Sequence, residues 1–125
     1  MTVTTAELVA DATSLIENLD PEQAAREVAD GALIVDVREA NECDGGVIRG
    51  ALLVPRGLLE FKADPRHPLH SVELDPDRRT ILYCASGGRS ALGARALQQL
   101  GYRDVAHLAG GMQAWLAAGR PTSAR

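Results

Sequence analysis

The run Ala32-Leu33-Ile34-Val35-Asp36-Val37 is short, β-branched and apolar on successive residues rather than alternate ones. A strand with one wet face alternates; a strand written this way is covered on both faces, as in a parallel sheet held between helices. Thr80-Ile81-Leu82-Tyr83 repeats the pattern and is the strongest strand signal in the chain. Ala51-Leu52-Leu53-Val54, stopped by Pro55, and Asp104 to Leu108 are shorter candidates. Helical signals fall between them. Gly57 to Lys62 reads as a short helix, and Leu92, Ala96, Leu97 and Leu100 form the stripe of a longer one ended by Gly101. Met112 to Ala118 forms a last helix before Gly119 and Pro121. Strands alternating with helices predict a three-layer α/β domain with a mostly parallel sheet.

The N-terminal third reads as helices. Leu8, Ala12, Leu15, Ile16 and Leu19 recur at three- and four-residue steps, which predicts an amphipathic helix over residues 5–18 with Thr4 and Glu7 as its capping box. Asp20, Pro21 and Gln23 start a second helix running to about Val28 and ending at Asp30-Gly31. Pro65, Pro68 and Pro76 mark Asp64 to Pro76 as a surface loop. The expected organisation is an amphipathic helix at 1–18, the main domain at 19–121 and a frayed tail at 122–125. The N-terminal stripe could finish the domain's own core or meet a second subunit or partner.

With 125 residues, 46% hydrophobic and 24% charged, the chain suits one globular domain. A net charge of −4 gives no footprint for nucleic acid. No apolar run approaches the roughly 18 residues of a membrane span, and the N-terminus lacks a basic signal region, so a cytoplasmic protein is expected. Two cysteines, Cys43 and Cys84, are too few for a disulfide scaffold. His67 and His70 flank Pro68 in a turn-like stretch and His107 stands alone, so no metal site is expected.

Chemistry concentrates after Tyr83. In open parallel sheets ligands sit beyond the carboxyl ends of the strands, which puts Cys84 and the Asp36-Val37-Arg38 segment on one functional edge. Cysteine alone at a strand end is most often a small buried hydrophobe. The residues after it change that reading: Gly87 and Gly88 let successive amides turn inward, Arg89 adds a planar cationic fork, and a helix begins at once. Each favours the charged sulfur, so the thiol should ionise below the roughly 8.5 of free cysteine. The loop has neither a GxGxxG fingerprint nor a P-loop, since Gly93 is followed by Ala94.

Cys84-Ala85-Ser86-Gly87-Gly88-Arg89-Ser90 resembles the active-site loop of the rhodanese family of sulfurtransferases. Leu33 to Glu39 is similar to the family's "DVRE" strand, and Gly46 to Ala51 to its "GHIPGA" turn, followed by Val54-Pro55-Arg56-Gly57. Gly101-Tyr102, Val105, Leu108, Gly110-Gly111, Trp115 and Gly119-Arg120-Pro121 resemble its closing segment. The resemblance implies a five-stranded sheet flanked by helices, to which this chain adds its N-terminal helix. It implies that Cys84 attacks the outer sulfur of a donor such as thiosulfate, and that the resulting persulfide passes its sulfur to cyanide or a thiol. The amides of Ala85 to Arg89 would hold the persulfide, Arg89 would stabilise the anion or steer the donor, and Ser90 would donate a hydroxyl hydrogen bond to the loop. No metal or organic cofactor is implied. Asp36 and Arg38 would shape the site edge. Val47 and Arg49 stand where the family has histidine and proline, and Arg49 is either a solvated charge or a source of positive potential near the donor. Cys43 is either a partly exposed bystander or a resolving cysteine.

Two other functions stay open on this fold. Phosphatases and arsenate reductases of related fold use Cys-x5-Arg, one residue longer than the span from Cys84 to Arg89, and a wider loop suits a tetrahedral oxyanion. Tyr83, rather than histidine, precedes the cysteine. A sulfur-relay or regulatory module acting with a protein partner is the other alternative.

Overall fold

A computed structural model describes residues 2–125. Five strands form one parallel sheet in the order β1-β5-β4-β2-β3: β1 is Glu17–Leu19, β2 Leu33–Asp36, β3 Leu52–Leu53, β4 Thr80–Tyr83 and β5 Val105–Leu108. Helices cover both faces, as the continuous apolar runs required. On one face Leu33, Val35, Leu82 and Val105 pack with Ala94 and Leu97 of α4 (Gly88–Gln99), Leu59 and Ala63 of α3 (Leu59–Ala63) and Ala12 of α1 (Thr5–Leu15). On the other, Ile34, Ile81, Tyr83, Ala106 and Leu108 meet Ala24 of α2 (Pro21–Ala29) and Met112 and Trp115 of α5 (Gly111–Ala117).

Both N-terminal capping boxes are present. Thr4 accepts the Glu7 amide while Glu7 accepts that of Thr4, and Asp20 and Gln23 do the same for α2. The first helix is shorter than its apolar spacing predicts. It stops at Leu15, and Glu17–Leu19 leaves it to become the edge strand β1 beside β5. Its buried stripe is also shifted: Val9, Ala12 and Ile16 turn inward, whereas Leu8 and Leu15 are exposed. The side chain of Asn18 ends the helix by donating to the carbonyls of Thr13 and Ile16.

The C-terminal tail, expected to fray over 122–125, is held instead. Ser123 exchanges two 2.8 Å backbone hydrogen bonds with Val47, and Arg125 pairs with Asp44 and donates to the Ala40 carbonyl. These contacts brace the 3₁₀ segment Ala40–Gly45 that follows β2.

Candidate active site

β2 and β4 are parallel neighbours in register, with Asp36 opposite Tyr83, so the segments after both strands emerge at the same sheet edge. Cys84 follows the central strand directly and is 1% exposed. Two features aim its loop. The carbonyls of Cys84 and Ala85 accept the amides of Met112 and Gln113 in the first turn of α5, which turns loop carbonyls away from the sulfur. Gly87 then takes a left-handed conformation, φ 111°, and starts α4. The chain reverses there, and the Gly87 and Ser90 amides donate to Cys84 Sγ at 3.1 and 3.4 Å.

Burial pushes the Cys84 thiol up. Hydrogen bonds that the ionised sulfur accepts from the Ser90 hydroxyl and from the amides of Ser90, Gly87 and Ser86 outweigh it, and the net shift is downward. The expected lowered thiol is therefore present, but its cause lies in buried dipoles. Arg89 makes no hydrogen bond to the sulfur. Its guanidinium forks onto Glu42, with Nη1 and Nη2 at 2.7 and 3.0 Å from the two carboxylate oxygens. That contact holds the Glu42 carboxyl down at about 2. Ala85 and Gly88 are half-buried and Ser86 is exposed, so these small residues form the rim of the loop.

Asp36 and Arg38 form a buried pair, Nη2 to Oδ2 at 2.8 Å, beneath the rim rather than at it. Arg38 also donates to the carbonyls of Glu42 and Gly46, at 3.1 and 2.9 Å, and so fixes the segment that carries the Glu42 carboxylate to Arg89. Arg49 is exposed and makes no ion pair among the described residues. Cys43, expected to be partly exposed, is fully buried. Its Sγ lies 3.5 Å from Asp36 Oδ2, and burial followed by the Asp36 charge pushes its thiol up.

Glu42 and His107 escape the sequence reading. Glu42 is one of several acids in a polar stretch, and its partner is 47 residues away. His107 leaves a signal: a lone histidine in the apolar strand Val105–Leu108 must satisfy its ring nitrogens inside the protein. It does so with Ser90 and Asn18, and burial holds its pKa down at about 4.

The central strand of the parallel sheet thus delivers a lowered, amide-held thiol to a helix N-terminus. The family model described as the Rhodanese-like domain matches residues 20–118, and the chain belongs to that family. A protein named sulfurtransferase from Allochromatium vinosum is 34% identical over 109 residues, covering 86% of this chain and 94% of that protein. A probable adenylyltransferase/sulfurtransferase of Mycobacterium tuberculosis is 37% identical over 82 residues, 66% of this chain but 19% of that longer protein. Among solved structures, a Rhodopseudomonas palustris protein of unknown function, described as a possible tyrosine phosphatase, superposes with a TM-score of 0.92 at 36% identity, covering 98% of this chain and 96% of its own. A polysulfide-sulfur transferase from Wolinella succinogenes gives 0.75 at 26%, covering 95% and 86%.

Proposed function

We propose that the protein transfers sulfane sulfur through a persulfide on Cys84, with thiosulfate as a donor and cyanide or a thiol as acceptor. The observation that carries this reading is the short loop in which Cys84 Sγ accepts the Gly87 and Ser90 amides. The Cys84 thiolate attacks the outer sulfur of thiosulfate; a new S–S bond forms, and sulfite leaves with the electron pair of the bond that breaks. The acceptor then attacks the terminal sulfur and Cys84 leaves as thiolate. The inward amides would hold the persulfide anion, and Arg89, once released from Glu42, would meet the anionic donor at the rim. The acceptor thiol belongs to a small molecule or to a sulfur-relay protein. A nucleophilic thiol of this kind suits a reducing compartment such as the cytoplasm.

Phosphate-ester hydrolysis is the second reading, favoured by the description given to the Rhodopseudomonas structure. The span from Cys84 to Arg89 argues against it, being one residue short of the loop that encloses a tetrahedral oxyanion. Parallel assays separate the two. Thiocyanate release from thiosulfate and cyanide, with no turnover of p-nitrophenyl phosphate, supports sulfur transfer; the opposite pattern supports hydrolysis.

A further inference from the structure

His107 has no part in the steps above, yet it is 2% exposed in the middle of the sheet and both its ring nitrogens are engaged. Nδ1 lies 2.9 Å from Ser90 Oγ and Nε2 lies 2.8 Å from Asn18 Oδ1. Asn18 sets the tautomer. Its Nδ2 is committed to the carbonyls of Thr13 and Ile16, at 2.9 and 3.1 Å, so the group facing the ring is an oxygen that can only accept. Nε2 therefore carries the proton, Nδ1 carries the lone pair, and the Ser90 hydroxyl donates to Nδ1. The carbonyl of Gly87, 3.2 Å from Ser90 Oγ, already accepts the Ala91 amide and does not need that proton. Ser90 Oγ is left with lone pairs towards Cys84 Sγ, 3.6 Å away, where the thiol donates to it.

We propose that Ser90, His107 and Asn18 form the proton relay of Cys84, with His107 as the terminal acceptor. This rests on the reading of Cys84 as the nucleophile. The S–H bond breaks as its proton joins Ser90 Oγ, and the original Ser90 O–H bond breaks as that proton joins His107 Nδ1. No electrons change owner, and the net charge of the group stays zero. The product is a thiolate and an imidazolium in which every partner is still satisfied: Nε2–H by Asn18, Nδ1–H by Ser90, and the thiolate by the Ser90 hydroxyl and two amides. The reverse shift reprotonates Cys84 after sulfur has left.

Burial alone holds the ring unprotonated, so the imidazolium is stable only while the thiolate formed in the same step supplies the opposite charge, and the proton returns when that charge is lost. Leu82 of β4 and Asn18 of β1 stand beside it in register, and Ser90 of α4 and Gly87 lie close to the ring. No carboxylate or cation pairs with the ring among the described residues, so only the thiolate answers its charge.

The test is the pH profile of iodoacetamide alkylation at Cys84 in the whole protein, mapped by peptide. His107→Gln can accept the Ser90 hydrogen bond but not a proton. It should raise the midpoint by about one unit, a roughly tenfold slower reaction below it, with the high-pH plateau unchanged. Asn18→Asp gives up the two donations to Thr13 and Ile16 but sets a carboxylate on Nε2–H, and should lower the midpoint in protein whose circular dichroism is unchanged. This second variant decides the matter if His107→Gln does not fold. Opposite shifts support the relay; midpoints that stay put, or an Asn18→Asp midpoint that rises, overturn it. Alkylation reports thiol ionisation whether or not sulfur is transferred, so this failure is distinct from failure of the persulfide reading.

Discussion

On its inner side the Cys84 sulfur meets the Gly87 and Ser90 amides, the Ser90 hydroxyl and, behind that, His107, with Ser90 and His107 both buried. At the rim lie Arg89 and Glu42, whose side chains are 38% and 31% exposed and locked as a charged fork. The inner partners are neutral and dry, so their effect on the sulfur is short-ranged and insensitive to salt. The rim pair is screened and adds little to stability, but it decides whether a guanidinium is available to an incoming anion. Under the proposed sulfur transfer the two regions divide the work: the buried side dominates how the thiol ionises, and the rim governs what it meets.

The largest effect should come from removing the atom both regions serve. Cys84→Ser should cut thiocyanate release by on the order of a thousandfold or more while leaving the fold intact by circular dichroism. Next comes damage to the buried side alone. Gly111 sits at φ 57°, and a Cβ there would lie 2.5 Å from the Cys84 carbonyl oxygen and 2.7 Å from the Ala85 carbonyl carbon. Gly111→Ala should cost roughly 2–4 kcal/mol in urea unfolding and slow Cys84 alkylation by displacing the loop.

Acid separates the regions. His107 binds its proton near 4 when folded against 6.5 when free, so the unfolded chain takes up that proton first and stability falls as pH drops from 6.5 towards 4. The loss should be about 3 kcal/mol, and His107→Gln should remove it from the pH dependence of urea midpoints. Glu42 behaves in a lower window. Its folded pKa of about 2 lies below the ordinary 4.5, so the contribution of the Arg89 pair is present above 4.5 and disappears as pH falls towards 2. The smallest effect tests the rim. Glu42→Gln should free Arg89 and lower KM for thiosulfate by roughly threefold at low salt, with the alkylation midpoint of Cys84 unchanged. A moved midpoint would break the division between the two sides.

What the sequence made legible was local. Continuous apolar runs identify β2 and β4, and Thr4/Glu7 and Asp20/Gln23 mark two helix starts at fixed spacing. The cysteine loop is equally contiguous, and so is the Asp36–Arg38 pair, two residues apart. The edge strand β1 was hidden because it is three residues long and Leu19 continues the spacing of the preceding helix. Only pairing with β5 makes it a strand. Glu42 with Arg89 and Asn18 with His107 are 47 and 89 residues apart, so their contacts exist only once the sheet has brought the segments together. The exposed Leu8 and Leu15 show the same limit: helical spacing gives a stripe, but the packing of α1 on α4 chose Val9 and Ala12 as its inward side.

The most direct measurement is the intact mass of the protein after incubation with thiosulfate, before and after addition of cyanide. The account predicts a gain of one sulfur on Cys84 in the unmodified chain, lost on cyanide addition and never acquired by Cys84→Ser. No gain with thiosulfate, polysulfide or a persulfide donor, or an equal gain in Cys84→Ser, would contradict it.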